Sequence, residues 1–192
     1  MRAWVTRPGV YLLALVLAGI TVAPIGYVIL GGFRTTGQLA GDPLALPDPW
    51  VPSNYTDVAA AGTFWGQFAN SLIVATVTTL LAVGTGAMAA FALSRMAFRG
   101  RDGLYGFFVL GLLFPAAVAI LPLYLLLRNV DFGGLFAVAM AQAAFALPAT
   151  VVILRPFMRG IPAELEDAAT IDGCGRLGFF WRIMLPLSTP AL

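Results

Sequence analysis

FANSLIVATVTTLLAVGTGAMAAFAL, residues Phe68 to Leu93, contains no Asp, Glu, Lys or Arg. As a helix rising about 1.5 Å per residue it reaches roughly 39 Å, more than the roughly 30 Å hydrocarbon core of a bilayer. Three other runs also lack ionisable residues: Val10–Leu30, Leu104–Leu127 and Gly134–Leu154. Even the shortest reaches about 30 Å as a helix, so all four are predicted to span the membrane.

Composition agrees with that reading. Of 192 residues, 60% are hydrophobic and 10% charged, against about 25% charged in an average soluble domain. The expected fold class is all-α, a polytopic transmembrane helix bundle forming a single domain over residues 1–192. The net charge of +2 comes without any lysine, and the 11 arginines are dispersed in short clusters, which is no footprint for nucleic acid. Cys174 is the single cysteine, and histidine is absent. The first fact excludes an intramolecular disulfide, and the second removes the commonest base and metal ligand. No cofactor, metal site or catalytic residue is expected.

Arg2 and Arg7 precede the first run, as they would in a secretory signal, but a cleavable apolar region is only about 7–15 residues long. The run is read as a retained anchor. Arginine placement then orients the bundle: Arg2, Arg7, Arg95, Arg99, Arg101, Arg155, Arg159, Arg176 and Arg182 fall on one side, leaving Arg34 and Arg128 on the other. By the positive-inside rule the amino terminus is cytoplasmic, in a plasma or inner membrane where lipid is a partner. Residues 33–66 form an outer segment, whose Pro43, Pro47, Pro49 and Pro52 predict an extended strap that serves as a docking surface or a plain linker.

Within the runs, Ala82, Gly86 and Ala90 recur every four residues and let another helix approach closely. Pro115, Pro122 and Pro148 each remove a backbone hydrogen bond and predict kinks. Gln142 is the strongly polar side chain near the middle of the last run. It predicts an interhelical hydrogen bond or, with Asn70 and Ser71, contact with a solute in a pathway.

A polar island follows. Pro162–Pro186, PAELEDAATIDGCGRLGFFWRIMLP, holds Glu164, Glu166, Asp167 and Asp172, four of the nine carboxylates. Pro162 suits a first helical turn, and Glu164, Glu166 and Asp167 complement the positive end of the helix dipole. Leu165, Ala168, Ala169 and Asp172 share one face, and Gly173 is placed to stop the helix in a left-handed turn. Such a short helix is marginal alone in water and must pack on something. Beyond Gly175, Leu177, Phe180, Trp181 and Met184 again follow helical spacing and predict a piece lying on the membrane or the bundle.

The order Asp167-Ala168-Ala169, three residues, Gly173, nine residues, Ile183-Met184-Leu185-Pro186 resembles the EAA loop of binding-protein-dependent ABC importer permeases. Asp167 stands where glutamate is usual and Cys174 where alanine is. Asn54-Tyr55, Asn70-Ser71-Leu72 and Arg95 followed by Phe98-Arg99-Gly100-Arg101 extend the resemblance to the sugar-permease branch, similar to the smaller maltose-transporter permease subunit. The resemblance implies a subunit without chemistry of its own. Residues 155–186 would be a cytoplasmic coupling loop whose Glu164, Leu165, Glu166, Asp167, Ala168, Ala169, Asp172, Gly173, Ile183, Leu185 and Pro186 engage an ABC ATPase that binds the ATP. In that reading Asp167 holds loop or partner by charge-assisted bonds, while Ala168 and Ala169 admit the partner closely. A second permease subunit and an extracytoplasmic solute-binding protein complete the system. The resemblance also implies two further spans after Leu192. The alternatives are a permease for a non-sugar solute or a secondary transporter, although the four runs lack the intramembrane charge that an ion-coupled transporter uses.

Overall fold

The computed structural model describes residues 6–129 and 132–192, which form helices joined by turns, with no strand among them. By its contacts the chain divides into two compact units, one ending at Phe68 and the other beginning at Ala69.

In the first unit, α1 spans Thr6–Gly31. The segment expected to be an extended strap instead contains two short helices, α2 at Thr36–Gly41 and α3 at Ser53–Ala60. The prolines do not prevent this because they lie outside both helices. Thr35 starts α2 with a capping box: its hydroxyl accepts from the Gln38 amide, and the Gln38 side chain accepts from the Thr35 amide. Arg34, only 4% exposed, turns its guanidinium on the carbonyls of Gln38, Asp42 and Pro43, where a cation complements the helix end. Asn54 donates to the carbonyls of Gly32 and Arg34, and the Tyr55 hydroxyl donates to Ile29. Phe33 packs against Trp50 and Tyr55, with ring centroids 5.4 Å and 4.8 Å away.

The second unit is built on the part of α4, Gly62–Arg95, that runs from Ala69 onward, and on α7, Gly134–Gly160. Ala82, Gly86, Ala87 and Ala90 are buried on α4, and a Cβ on Gly86 would collide with Thr150 of α7. The small-residue stripe is thus a helix-packing seam.

The run Leu104–Leu127, predicted as one spanning helix, is broken into α5, Arg101–Gly111, and α6, Ala116–Asn129, bent by 98°. Pro115 sits in the break: it has no amide for the Gly111 carbonyl, and its ring disfavours helical torsions at Phe114. Pro148, by contrast, lies within a continuous α7. A Cβ on Gly111 would stand 2.9 Å from Pro148 Cγ, so the end of α5 rests directly on that proline. Among the described residues, Pro8–Gly31, Gly62–Arg95 and Gly134–Gly160 are single helices long and apolar enough to cross a bilayer, and the bent pair makes a fourth such segment if counted as one.

Candidate functional site

The polar island folds over one end of α4 and α7. Its first helix, α8, spans Glu164–Ile171 and carries Glu164, Glu166 and Asp167 in its first turn. It ends as the glycine predicted: Gly173 has φ 77°, its amide donates to Thr170 at 3.0 Å, and the Cys174 amide donates to Ala169 at 2.8 Å. This pair of bonds satisfies carbonyls that the helix end leaves open.

Burial divides α8 differently from the predicted face. Ala169 is 6% exposed and joins a core made by Ala87, Ala90 and Phe91 of α4, Leu154 and Met158 of α7, and Phe179, Phe180 and Met184. Its small side chain therefore lets α8 settle closely on this chain's own core. Leu165, Asp167, Ala168 and Asp172 remain exposed, and Ile171 is 86% exposed.

After Gly175, α9 at Arg176–Phe179 runs into a π-turn at Phe180–Met184 and then α10 at Leu185–Leu187. The Leu185 amide donates to Phe180, five residues back. Pro186 offers no amide to Arg182, so the regular α-type bond to that carbonyl is absent at the same turn. The widened turn buries Phe179, Phe180 and Met184, half-buries Ile183 and Leu185, and leaves Leu177, Trp181 and Pro186 exposed. The end of the motif is therefore an anchor against the core. Removing each of the large loop side chains from water contributes about 1.5–3 kcal/mol.

Two arginines tie the helix ends together. Arg95, the last residue of α4, donates from Nη2 to Met158 at 2.8 Å and to Ile161, both at the end of α7. Its Nη1 lies 3.8 Å from Glu166 of α8. Arg155 on α7 returns the arrangement: Nε donates to Leu93 of α4 at 3.2 Å, and Nη2 pairs with Asp102 of α5 at 3.0 Å. Its guanidinium also sits 3.8 Å over the Tyr105 ring. The carboxylate that secures α8 is thus Glu166, whereas Asp167 makes no salt bridge among the described residues. The sequence placed Arg95, Arg155 and Glu166 on one side of the membrane but did not pair them, and Asp102 and Tyr105 were not singled out.

The three candidate pathway residues do converge. Asn70, Ser71 and Gln142 line one groove of about 370 Å³ with Val74, Ala75, Leu135 and Val138. Gln142 also lines a cleft of about 880 Å³ between α6 and α7, with Tyr124, Arg128 and Phe145. The Thr78 hydroxyl is 3.4 Å from Gln142 Oε1 and 3.3 Å from the Ala139 carbonyl, an interhelical contact that fixes the glutamine in the wall between the two concavities. Tyr124 was not singled out from sequence, and Arg128 was read only for orientation. Their signal was the polar end of an otherwise oily run.

Residues 82–192 match the family described as "Binding-protein-dependent transport system inner membrane component". The chain is 36% identical over 176 residues to the diacetylchitobiose uptake system permease protein NgcG of Streptomyces coelicolor, covering 90% of this chain and 58% of that protein. It is 32% identical over 180 residues to the arabinooligosaccharides transport system permease protein AraQ of Halalkalibacterium halodurans, covering 92% of this chain and 64% of the relative. It thus spans about three fifths of the length of these curated relatives. Its fold matches, with a TM-score of 0.77 and 24% identity, a chain of a bacterial ABC transporter involved in the import of the acidic polysaccharide alginate; the match covers all of this chain and 68% of the other. The apolar helices and the family match make it a multi-pass membrane protein. The chain belongs to the family of binding-protein-dependent transport system inner membrane components, the permeases of ABC importers.

Proposed function

We propose that this chain is a non-catalytic permease subunit of an ATP-driven importer, and that α8 is the element through which a cytoplasmic ABC ATPase moves it. The observation that carries the proposal is the two-sided character of α8. One face is held by Ala169 in the core and by Glu166 beside Arg95, while Leu165, Asp167, Ala168 and Ile171 stand free for a partner. A helix of eight residues is too short to persist alone, and its seat on α4 and α7 makes it a rigid handle on two apolar helices.

The solute class is carbohydrate, a reading supported by relatives named for diacetylchitobiose and arabinooligosaccharides. Gln142, Asn70 and Ser71 supply amide and hydroxyl groups suited to sugar hydroxyls along the pathway. A second permease subunit and an external solute-binding protein complete the system, the amino terminus lies in the cytoplasm, and ATP binds to the ATPase.

Reconstitution of the full-length permease with its ATPase, partner permease and binding protein tests this. ATP-dependent vesicle uptake of labelled diacetylchitobiose or arabinooligosaccharide that stops when the ATPase is omitted is the expected result. Uptake that continues without ATP and follows a proton gradient would instead establish a secondary transporter.

A further inference from the structure

Arg95 and Arg155 form a crossed pair. Arg95 of α4 donates to the terminal carbonyls of α7, and Arg155 of α7 donates to a terminal carbonyl of α4. Each arginine then reaches one carboxylate on a different neighbouring helix, Glu166 on α8 and Asp102 on α5. The carbonyl contacts are sheltered, with the Arg95 side chain only 9% exposed, whereas Glu166 is 30% exposed. A planar guanidinium with several fixed donors can hold two carbonyls and a carboxylate together, which a point charge such as lysine cannot do with the same geometry.

We propose that Arg95 is a positioning residue, the centre of a clasp running Glu166, Arg95, the ends of α7 and α4, Arg155 and Asp102, which makes α8 and α5 move as one body. Without it, displacement of α8 would be absorbed in the link 161–163 between α7 and α8. With it, displacement is carried through α4 and α7 to α5 and on toward the break at Pro115. The Arg95 Nε is buried with no acceptor among the described residues, so the clasp depends on its two Nη groups alone. This inference rests on α8 being the coupling element.

The test uses the complete transporter in lipid with two spin labels, at exposed Thr170 of α8 and exposed Leu104 of α5, in a Cys174→Ser background. In the wild-type clasp the α8 to α5 distance is expected to be single and unchanged between the nucleotide-free and ATP-bound states. In Arg95→Gln it is expected to broaden and to shift on ATP binding, while the ATPase still co-purifies. Glu166→Gln leaves the carbonyl bonds intact and serves where Arg95→Gln fails to fold; it too should make the distance nucleotide-dependent. A merely stabilising contact would not produce that dependence. A distance that stays narrow and constant in the folded variants overturns the clasp. Failure of the wild-type permease to bind any ATPase overturns the coupling reading separately, and the nucleotide-free distances still decide whether the clasp holds α8 to α5.

Discussion

Gly86 on α4 faces Thr150 on α7 with no room for a single added carbon: an ideal Cβ would stand 2.9 Å from Thr150 Cβ and closer still to its methyl group. Thr150 cannot swing away easily, because its hydroxyl donates to the Ala146 carbonyl at 3.0 Å and a branched side chain is stiff at χ1 in a helix. Gly86→Ala is expected to destabilise the bundle by about 1–3 kcal/mol through overpacking. Thermal unfolding in detergent should show the loss, and adding Thr150→Ala should restore much of it. A Gly86→Ala protein as stable as wild type would mean that the two helices do not meet here.

Ala168 and Ala169 are neighbours with opposite surroundings, one exposed and the other in the core. Ala169→Leu is expected to lower thermal stability by about 1–3 kcal/mol and to weaken ATPase association only as a consequence. Ala168→Trp is expected to leave stability within about 0.5 kcal/mol and to abolish association directly. Co-purification of the ATPase alongside melting curves separates the two. Equal effects on stability from both substitutions would contradict the assignment of faces.

Gly173 has open space around its Cα, so only its φ of 77° constrains the side chain. Gly173→Ala should cost about 1–2 kcal/mol of left-handed strain, and Gly173→Asn less, since asparagine tolerates that region. Proteolysis of the α8 loop in vesicles should follow the same order.

Arg34 gathers three carbonyls at the end of α2. Arg34→Ala removes three bonds from a charged donor to the carbonyls at the end of α2, a loss of about 1–3 kcal/mol. Because the contacts of the cap lie within the first unit, limited proteolysis between Thr35 and Pro52 should accelerate while the thermal transition of the second unit stays in place. Unchanged protease resistance would show that the cap does not depend on this guanidinium.

Much of the molecule follows from local pattern. Long runs without ionisable residues leave the backbone no option in lipid but to satisfy its own hydrogen bonds as helices. The Ala82, Gly86 and Ala90 stripe marked the face on which another helix lies, and Gly173 marked the end of α8, because glycine accepts a torsion that other residues resist. Thr35 and Gln38 also spell a capping box, a local signal that the expectation of an extended strap, built on four nearby prolines, did not use. In the fold those prolines flank the helices and leave α2 intact.

The remaining features depend on partners distant in the chain. Pro115 and Pro148 carry the same local penalty, yet α5 and α6 part at the first while α7 runs through the second, against which Gly111 rests. Composition could mark Glu166 and Asp167 as helix-start carboxylates, but only the position of Arg95, at the end of α4, chose Glu166 for the ion pair. Likewise only the core of Phe91, Met158 and Phe180 turned Ala169 inward and left Ala168 outside. Helix content, membrane residence and the stop of α8 are properties of neighbouring residues, whose torsions and solvation are set along the chain. The crossed arginines, the broken third run and the buried face of α8 arise where packing brings separate segments within hydrogen-bonding distance.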